Sequence, residues 1–471
     1  MEALIGIAVV AGLVWATIFV LRGSLVAGCL AFLLVNACFG FYFFNVHVGP
    51  VELTLDRIVL VLLVAAYFIH RALGRTVPWR WGASDWATLA FVAWLTLRTF
   101  TSDWLQAPKG HVLPVWHLIV GYVSPLLIYA IVRQAPLGER NVRLVQLFFI
   151  VLGTYLSLTA IAEVTGQWWA VFPSHISDPN IGLHYGRARG PMVQAIVLGF
   201  CLSISTLCMW AYRDRLTWRG RLASLGLIGL FLVGTICTYT RCVWIGAALG
   251  LMLVMALTLP KRVSTVLLAG VITCGLLVTA TRWDQLVSLS AGRSAAHTRD
   301  STYMRASFAY VSWQMFLDHP VLGVGLSQYI LAKDEYLSDR TTELRLEGIR
   351  DQLLHNLPLS ILVETGLVGF GLYLAMFYAW TRDAWRLWRN RRVPDWARSQ
   401  GLMMLGLMVV YIPNALFQPL GHMNIVHMMF FFLAGITAAL AATFQPSGAK
   451  SRSMPVLRPA AAVMSPVGNA R

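Results

Sequence analysis

The chain has 471 residues, of which 58% are apolar and only 12% charged, and its formal net charge is +16. A soluble domain carries about twice that share of charge, and the mean hydropathy of +0.66 leaves most of the chain unfit for water. This composition excludes a soluble enzyme, a coiled coil, a disordered chain and a disulfide-stapled scaffold, and the expected class is all-α, a polytopic helical membrane protein.

Apolar runs of about 20 residues, one helical crossing each, recur from Ala3 to Phe444. No basic cluster precedes the first, which therefore reads as a retained helix and not a cleaved signal. In chain order the spans fall near 3–21, 24–44, 53–70, 85–102, 112–132, 144–164, 191–212, 222–240, 242–259, 263–281, 354–380, 400–418 and 424–444. The count is thirteen, or twelve if the stretch from Phe44 to Leu55, with Gly49 and Pro50, is re-entrant. The organisation expected is N-terminal transmembrane helices over 1–281, an outer loop over 282–353, C-terminal transmembrane helices over 354–444 and a disordered tail over 445–471. The seven cysteines lie in or at the ends of apolar runs, with no CxxC or Cys/His cluster, and read as small core residues.

In a soluble protein the excess of cations would suggest nucleic acid, but here its distribution decides. Basic connections, such as Arg213 to Arg221 and Arg382 to Arg398, alternate strictly with poorly basic ones at 103–111, 165–190, 282–353 and 419–423. The positive-inside rule puts the basic set in the cytoplasm and the others outside. The loop 282–353 has eight basic and nine acidic residues, while the membrane part is nearly stripped of carboxylates. Tyr303 to Leu317 has helical composition, stopped by His319-Pro320 and then Gly323 and Gly325, and Gln328 to Leu354 again reads as helical. This loop is where chemistry is expected.

The candidates are outer arginines and one histidine. Arg187 and Arg189 stand in Tyr185-Gly-Arg-Ala-Arg-Gly-Pro191, just before a span; Arg241 stands in Thr238-Tyr-Thr-Arg-Cys-Val-Trp244, a hairpin short enough to hug the membrane surface. Arg305 lies early in the first loop helix, and His355-Asn356 lies where the chain re-enters the membrane. Guanidinium groups grip phosphate oxygens in a bidentate way, so the set suits a ligand with an anionic head and a lipid tail. Against this, an isolated Arg at a span end commonly snorkels or pairs with a carboxylate, and a lone interfacial His is commonly a structural hydrogen-bonder. Glu163 and Glu364 could each be a helix-buried acid paired to one of these arginines. His47, His111, His117 and His175 lie on the same side without a motif around them.

Taken in order, Arg-x-Arg-Gly before a span, Thr-x-x-Arg-x-x-Trp, a long loop with Arg305, Trp313 and Asp318-His-Pro-Val-Leu-Gly-Val-Gly325, then His355-Asn356-Leu357 and Glu364-Thr-Gly-Leu-Val-Gly369 resemble the O-antigen ligase / O-antigen polymerase superfamily of bacterial envelope glycosyltransferases. The resemblance runs from about 185 to 375. It implies a metal-independent, inverting transfer of a glycan from undecaprenyl diphosphate to an acceptor hydroxyl, with no cofactor, on the outer side of the bacterial inner membrane. Arg187, Arg189, Arg241 and Arg305 would hold the diphosphate, and His355 would take the acceptor's proton or orient its hydroxyl. Asn356, His319 and Glu364 would support them. The implied partners are the lipid-linked donor, lipid A-core or another glycan acceptor, and membrane lipids, with no nucleic acid. A late single loop ending in His-Asn favours a ligase; a repeat-unit polymerase shares the constellation. The competing class is a flippase for lipid-linked oligosaccharides, which calls for deep membrane charges and related halves, neither of which is legible here.

Overall fold

A computed structural model of the protein describes residues 23–48, 51–108, 110–182, 184–266, 269–270, 273 and 295–444. The expected span 3–21, most of the expected span 263–281, residues 282–294 with the start of the outer loop, and the tail 445–471 lie outside the described residues, as does Cys274. The described chain is helical except for one small hairpin. The helices are α1 (Leu25–Cys38), α2 (Leu55–Ala72), α3 (Ala83–Phe100), α4 (Pro114–Arg133), α5 (Glu139–Val164), α6 (Ala195–Tyr212) and α7 (Trp218–Cys237). They continue with α8 (Arg241–Thr258), α9 (Ala295–Asp318), α10 (Leu357–Arg389), α11 (Asp395–Phe417) and α12 (Asn424–Phe444).

Among the described residues eight of these, α4 to α8 and α10 to α12, are long and apolar enough to cross a membrane. With no water in the bilayer core, only such self-satisfied backbones can cross. Helix α1, with 14 residues, is shorter than a full crossing. Helix α2 carries Asp56, Arg57, His70 and Arg71, and α3 carries Asp85, Arg98 and several hydroxyls. Within the stretch from Phe44 to Leu55 the described residues form two short strands. Strands β1 (Asn45–Val48) and β2 (Val51–Thr54) pair antiparallel in the register Asn45↔Thr54 to Val48↔Val51, leading straight into α2.

Burial sorts the bundle into a centre and a rim. Every residue of α6 except Ile196 is buried, as expected for a helix that is apolar all round and enclosed by others. On α7 only Ser224, Ile228, Phe231, Gly234 and Thr235 are buried, one stripe that faces α5 and α6. Helix α8 docks on α11 through Gly246 and Gly250, where an added methyl would meet the Val410 and Gly406 carbonyls at 2.8 and 3.0 Å. Small residues one turn apart let two backbones approach this closely without the hydrophobic drive that water provides.

Two departures from the expected loop matter for the site. The first loop helix begins before Tyr303 and runs Ala295–Asp318. The stretch from Gln328 to Leu354 is not a continuous helix but single turns at Tyr329–Ala332, Lys333–Tyr336 and Leu346–Ile349. The Asp339 carboxylate accepts from the Thr341 N–H at 2.8 Å and the Thr342 hydroxyl from the Leu344 N–H at 3.2 Å. Such local side-chain bonds give the backbone an alternative to the helical ladder. These turns fold back on Phe308, Val311 and Met315 of α9, and Leu337, Leu346, Ile349 and Leu354 complete a small apolar cluster.

Candidate active site

The poorly basic connections meet at one end of the bundle, and the Arg-x-Arg segment is built into that end from both sides. Glu163, near the end of α5, accepts the Arg189 N–H at 2.9 Å with one carboxylate oxygen and the Gly190 N–H at 2.8 Å with the other. The Ala188 N–H donates to the Cys237 carbonyl at 3.0 Å, which ties the segment to the end of α7. Glu163 thus meets its arginine through the backbone. The Arg189 guanidinium is 1% exposed and donates to the carbonyls of Ile181, Ile176 and Asp178 at 2.5, 2.9 and 3.2 Å, over the ring of Tyr185. Arg189 is therefore committed to its own loop and does not stand beside the other arginines as an open ligand. Arg187, two residues earlier, is half-buried on the same pinned segment.

After α7 the chain turns in three residues. Tyr239 takes φ +45, and the Trp244 indole N–H reaches back to the Thr235 carbonyl at 3.0 Å. This turn makes Arg241 the first residue of α8, exposed at its N-terminus. The neighbouring Cys242 thiol accepts from the Gln418 carboxamide at 3.6 Å, just past the end of α11. Arg305, exposed on α9, lies over the ring of Phe417, the last residue of α11, at 5.4 Å. Arg241 and Arg305 thus gather where α8 begins and α11 ends.

His355 joins them along the same stretch of α9. Its ring lies 5.7 Å from that of Phe308, one turn along α9 from Arg305. Its Nδ1 donates to the Leu353 carbonyl at 2.7 Å, which fixes the tautomer and leaves Nε2 as an acceptor. Burial and the nearby Arg305 charge both hold this imidazole below its usual pKa, so it is neutral near pH 7 and competent to take a proton. Asn356 caps α10, its Oδ1 accepting the Leu359 N–H at 3.0 Å, and so starts the helix directly behind His355.

The remaining candidates serve the framework. Helix α10 is broken at Gly366 (φ 67, ψ −170), and the loop from Pro320 to Gly325 lies along the break. Val324 and Gly325 donate to the carbonyls of Val363 and Glu364 at 3.0 and 2.8 Å, while Leu367 donates to Pro320 at 2.9 Å. A methyl on Gly366 would meet the Val321 carbonyl oxygen at 2.1 Å. The Gly-rich and Glu-Thr-Gly motifs are thus the two halves of one backbone junction. The Glu364 carboxylate accepts from the N–H groups of Ser327 and Tyr329 and the Ser360 hydroxyl, with no arginine involved. His319 is exposed at the far end of α9, about 20 Å along the helix from Arg305 at 1.5 Å per residue.

Lys333 escaped the reading of the sequence, and His117 stood in it only as an outer-side histidine without a motif. Lys333 is wholly buried, its ammonium donating to the carbonyls of Ile349 and Gln352 at 2.7 Å each, and burial pushes its pKa down to about 8. This clamp fixes the segment that leads into His355. His117 bonds the Ser327 hydroxyl through Nδ1 and the Gly421 carbonyl through Nε2 at 2.9 Å, with its ring stacked on His422 at 4.0 Å. Both groups are closed by backbone partners and neighbours from distant segments, which leave no local pattern in the sequence. Among the described residues no three His, Cys, Asp or Glu side chains gather as metal ligands.

Residues 226–374 match the family model described as O-antigen ligase. This segment is similar to the O-antigen ligase family. It covers just under a third of the chain and carries Arg241, Arg305, His319, His355, Asn356 and Glu364, while Arg187 and Arg189 precede it. No curated protein matches the chain. The match makes this segment of a multi-pass membrane protein similar to the O-antigen ligase / polymerase superfamily, a group of glycosyltransferase-type enzymes acting in envelope polysaccharide synthesis.

Proposed function

We propose that the protein is an O-antigen ligase-like glycosyltransferase that moves a glycan from undecaprenyl diphosphate to an acceptor hydroxyl on the outer side of the bacterial inner membrane, without metal or cofactor. The observation that supports this reading is Arg305 acting on a His355 imidazole whose Nδ1 is held by the Leu353 carbonyl, so that Nε2 is the acceptor. Arg187, Arg241 and Arg305 take the diphosphate; Arg189, bonded to its own loop, shapes the segment that presents Arg187. The acceptor oxygen attacks the anomeric carbon and its proton passes to His355 Nε2. The bond from that carbon to the diphosphate oxygen breaks, and undecaprenyl diphosphate leaves with the electron pair. Charge grows on the leaving group in the transition state, where fixed guanidinium groups act most strongly. The sugar is already activated, so no covalent intermediate is needed.

The test is a transfer assay with the purified protein, a lipid-linked oligosaccharide and EDTA, with lipid A-core or further donor as acceptor. Release of undecaprenyl diphosphate with one glycan added per acceptor is the expected result. A ladder of lengthening lipid-linked chains moves the protein to the polymerases. Passage of the intact donor across liposomes without any release overturns the transferase reading.

A further inference from the structure

An open cleft of about 580 Å³ lies at the end of the bundle away from the candidate site, where α10 and α12 finish. Its size is that of a small-molecule site, about 300–1,000 Å³. Its depth in a membrane follows from the two helices. Helix α10 breaks at Gly366, where the loop from Pro320 to Gly325 joins it, and from Leu367 to Arg386 it rises about 30 Å at 1.5 Å per residue. That is one hydrocarbon thickness. Helix α12, 21 residues long, starts just after a poorly basic connection and covers about the same rise to Phe444. Both helices therefore place the cleft where lipid head groups begin, at the end that the positive-inside rule assigns to the cytoplasm.

The polar side chains that line the cleft all act as donors. Arg386 and Arg389 are exposed and stand one turn apart on the same face of α10. Neither joins an ion pair among the described residues. The carboxylates nearest in sequence, Asp383 and Asp395, pair with Arg382 and Arg398. Asn390 accepts the Arg392 N–H on its Oδ1 at 3.0 Å, which leaves only its amide N–H groups to offer, and an indole such as that of Trp385 can only donate. The C-terminal end of α10 carries about half a negative charge, which two whole guanidinium charges outweigh. Like charges one turn apart repel, and an acceptor-only group between them relieves that repulsion.

The rest of the lining is apolar, with Val393, Ala441 and Phe444 across from the arginines. A soluble anion would gain nothing from that half of the cleft. Residues 445–471, which follow Phe444, do not suit it either, since their charged side chains are Lys450, Arg452, Arg458 and Arg471. A second copy in a two-fold dimer would bring the same cations to the contact. We propose that the cleft binds one anionic phospholipid, its phosphate between Arg386 and Arg389 and its acyl chains toward Trp385 and Phe444. Basic pockets between helices at a membrane surface take such head groups. The proposal needs only that the bundle crosses a membrane, so it stands apart from the transfer reading.

The test uses the full-length protein in detergent, titrated with phosphatidylglycerol or phosphatidylcholine, with bound lipids counted by native mass spectrometry. A phosphatidylglycerol carrying a photoreactive group beside its head locates the site by cross-linking. The wild type is expected to prefer phosphatidylglycerol, with the cross-link on peptides covering 385–393 or 441–444. Arg386→Gln with Arg389→Gln is expected to weaken the first bound phosphatidylglycerol about thirtyfold and to erase that cross-link. The control, Arg391→Gln with Arg392→Gln, removes the same charge from exposed residues outside the cleft and is expected to keep it. Equal losses in the two double variants would mean general attraction between a basic surface and lipid, and overturn the site. Equal binding of phosphatidylcholine, cross-links elsewhere, or displacement of the probe by millimolar inorganic phosphate overturns it too. Those three outcomes are read on the wild type, so the proposal stays open to refutation should a variant unfold.

Discussion

Helix α3 carries a charge near each end, and the two are closed in opposite ways. Near its start, the Asp85 carboxylate accepts from Arg133 at 3.0 and 3.1 Å and from the Tyr129 hydroxyl at 2.8 Å, with both charged side chains almost wholly buried. Near its finish, Arg98 donates to the Gly323 carbonyl at 3.0 Å and to the Thr101 hydroxyl at 2.8 Å. Arg382 with Asp383 and Arg398 with Asp395 repeat the first pattern; Lys333 on two carbonyls and Arg305 on an aromatic face repeat the second. A cation closed by a carboxylate shows little net charge to its surroundings. One closed by neutral groups keeps its charge, and a cluster of such cations sustains a positive field. The outer loop also holds exposed pairs of the first kind, Arg350 with Asp334 and Glu347 and Arg340 with Glu347, but the cations beside His355, Arg305 and Lys333, are of the second kind, and there an anion meets uncancelled charge.

The sharpest way to break this contrast is chemical. His355→Ala is expected to lower glycan transfer by about 10²- to 10⁴-fold while binding of undecaprenyl diphosphate stays near wild type; full transfer in that variant removes His355 from the base role. At the other end the effect should be thermodynamic. Asp85→Ala strands Arg133 and is expected to cost about 3–5 kcal/mol, seen as a lower melting temperature, and joint replacement of Asp85 and Arg133 by apolar residues recovers most of it. Unchanged melting would mean the pair contributes nothing at that end. The smallest effect is a pH shift. Arg305 is one of two causes that hold the His355 pKa down, so Arg305→Gln is expected to move the acid limb of the residual rate upward, toward the usual imidazole range. Titration of His355 by carbethoxylation reports the same shift without turnover, and a limb that stays put or moves down would separate the two residues.

Much of the bundle was legible because water and lipid impose the same rule on every span: the apolar runs had to be helices, and their basic connections had to share one end. The β1–β2 hairpin escaped because two four-residue strands leave no periodic trace. The turns after Gln328 escaped because Asp339 and Thr342 outcompete the helical ladder locally. Within the site, the convergence of Arg305 and His355 was expected from a family pattern and not from spacing, since fifty residues separate them. The closing of Arg189 within its own loop was beyond reach. Arg189 is held by the carbonyls of Ile176, Asp178 and Ile181, and a backbone carbonyl is the same in every residue.

The junction at Gly366 also sets the unit in which this loop can be exchanged. Hydropathy would cut the loop at 353, where the apolar run resumes, yet Pro320 to Gly325 supplies backbone bonds that α10 lacks on both sides of its break. A chimera that takes a relative's loop but keeps its own α10 would pair two unmatched halves of one hydrogen-bonded seam. On its C-terminal side the transplantable module therefore extends through Gly369, and grafts joined between 353 and Gly369 should express as protein that inserts but does not assemble.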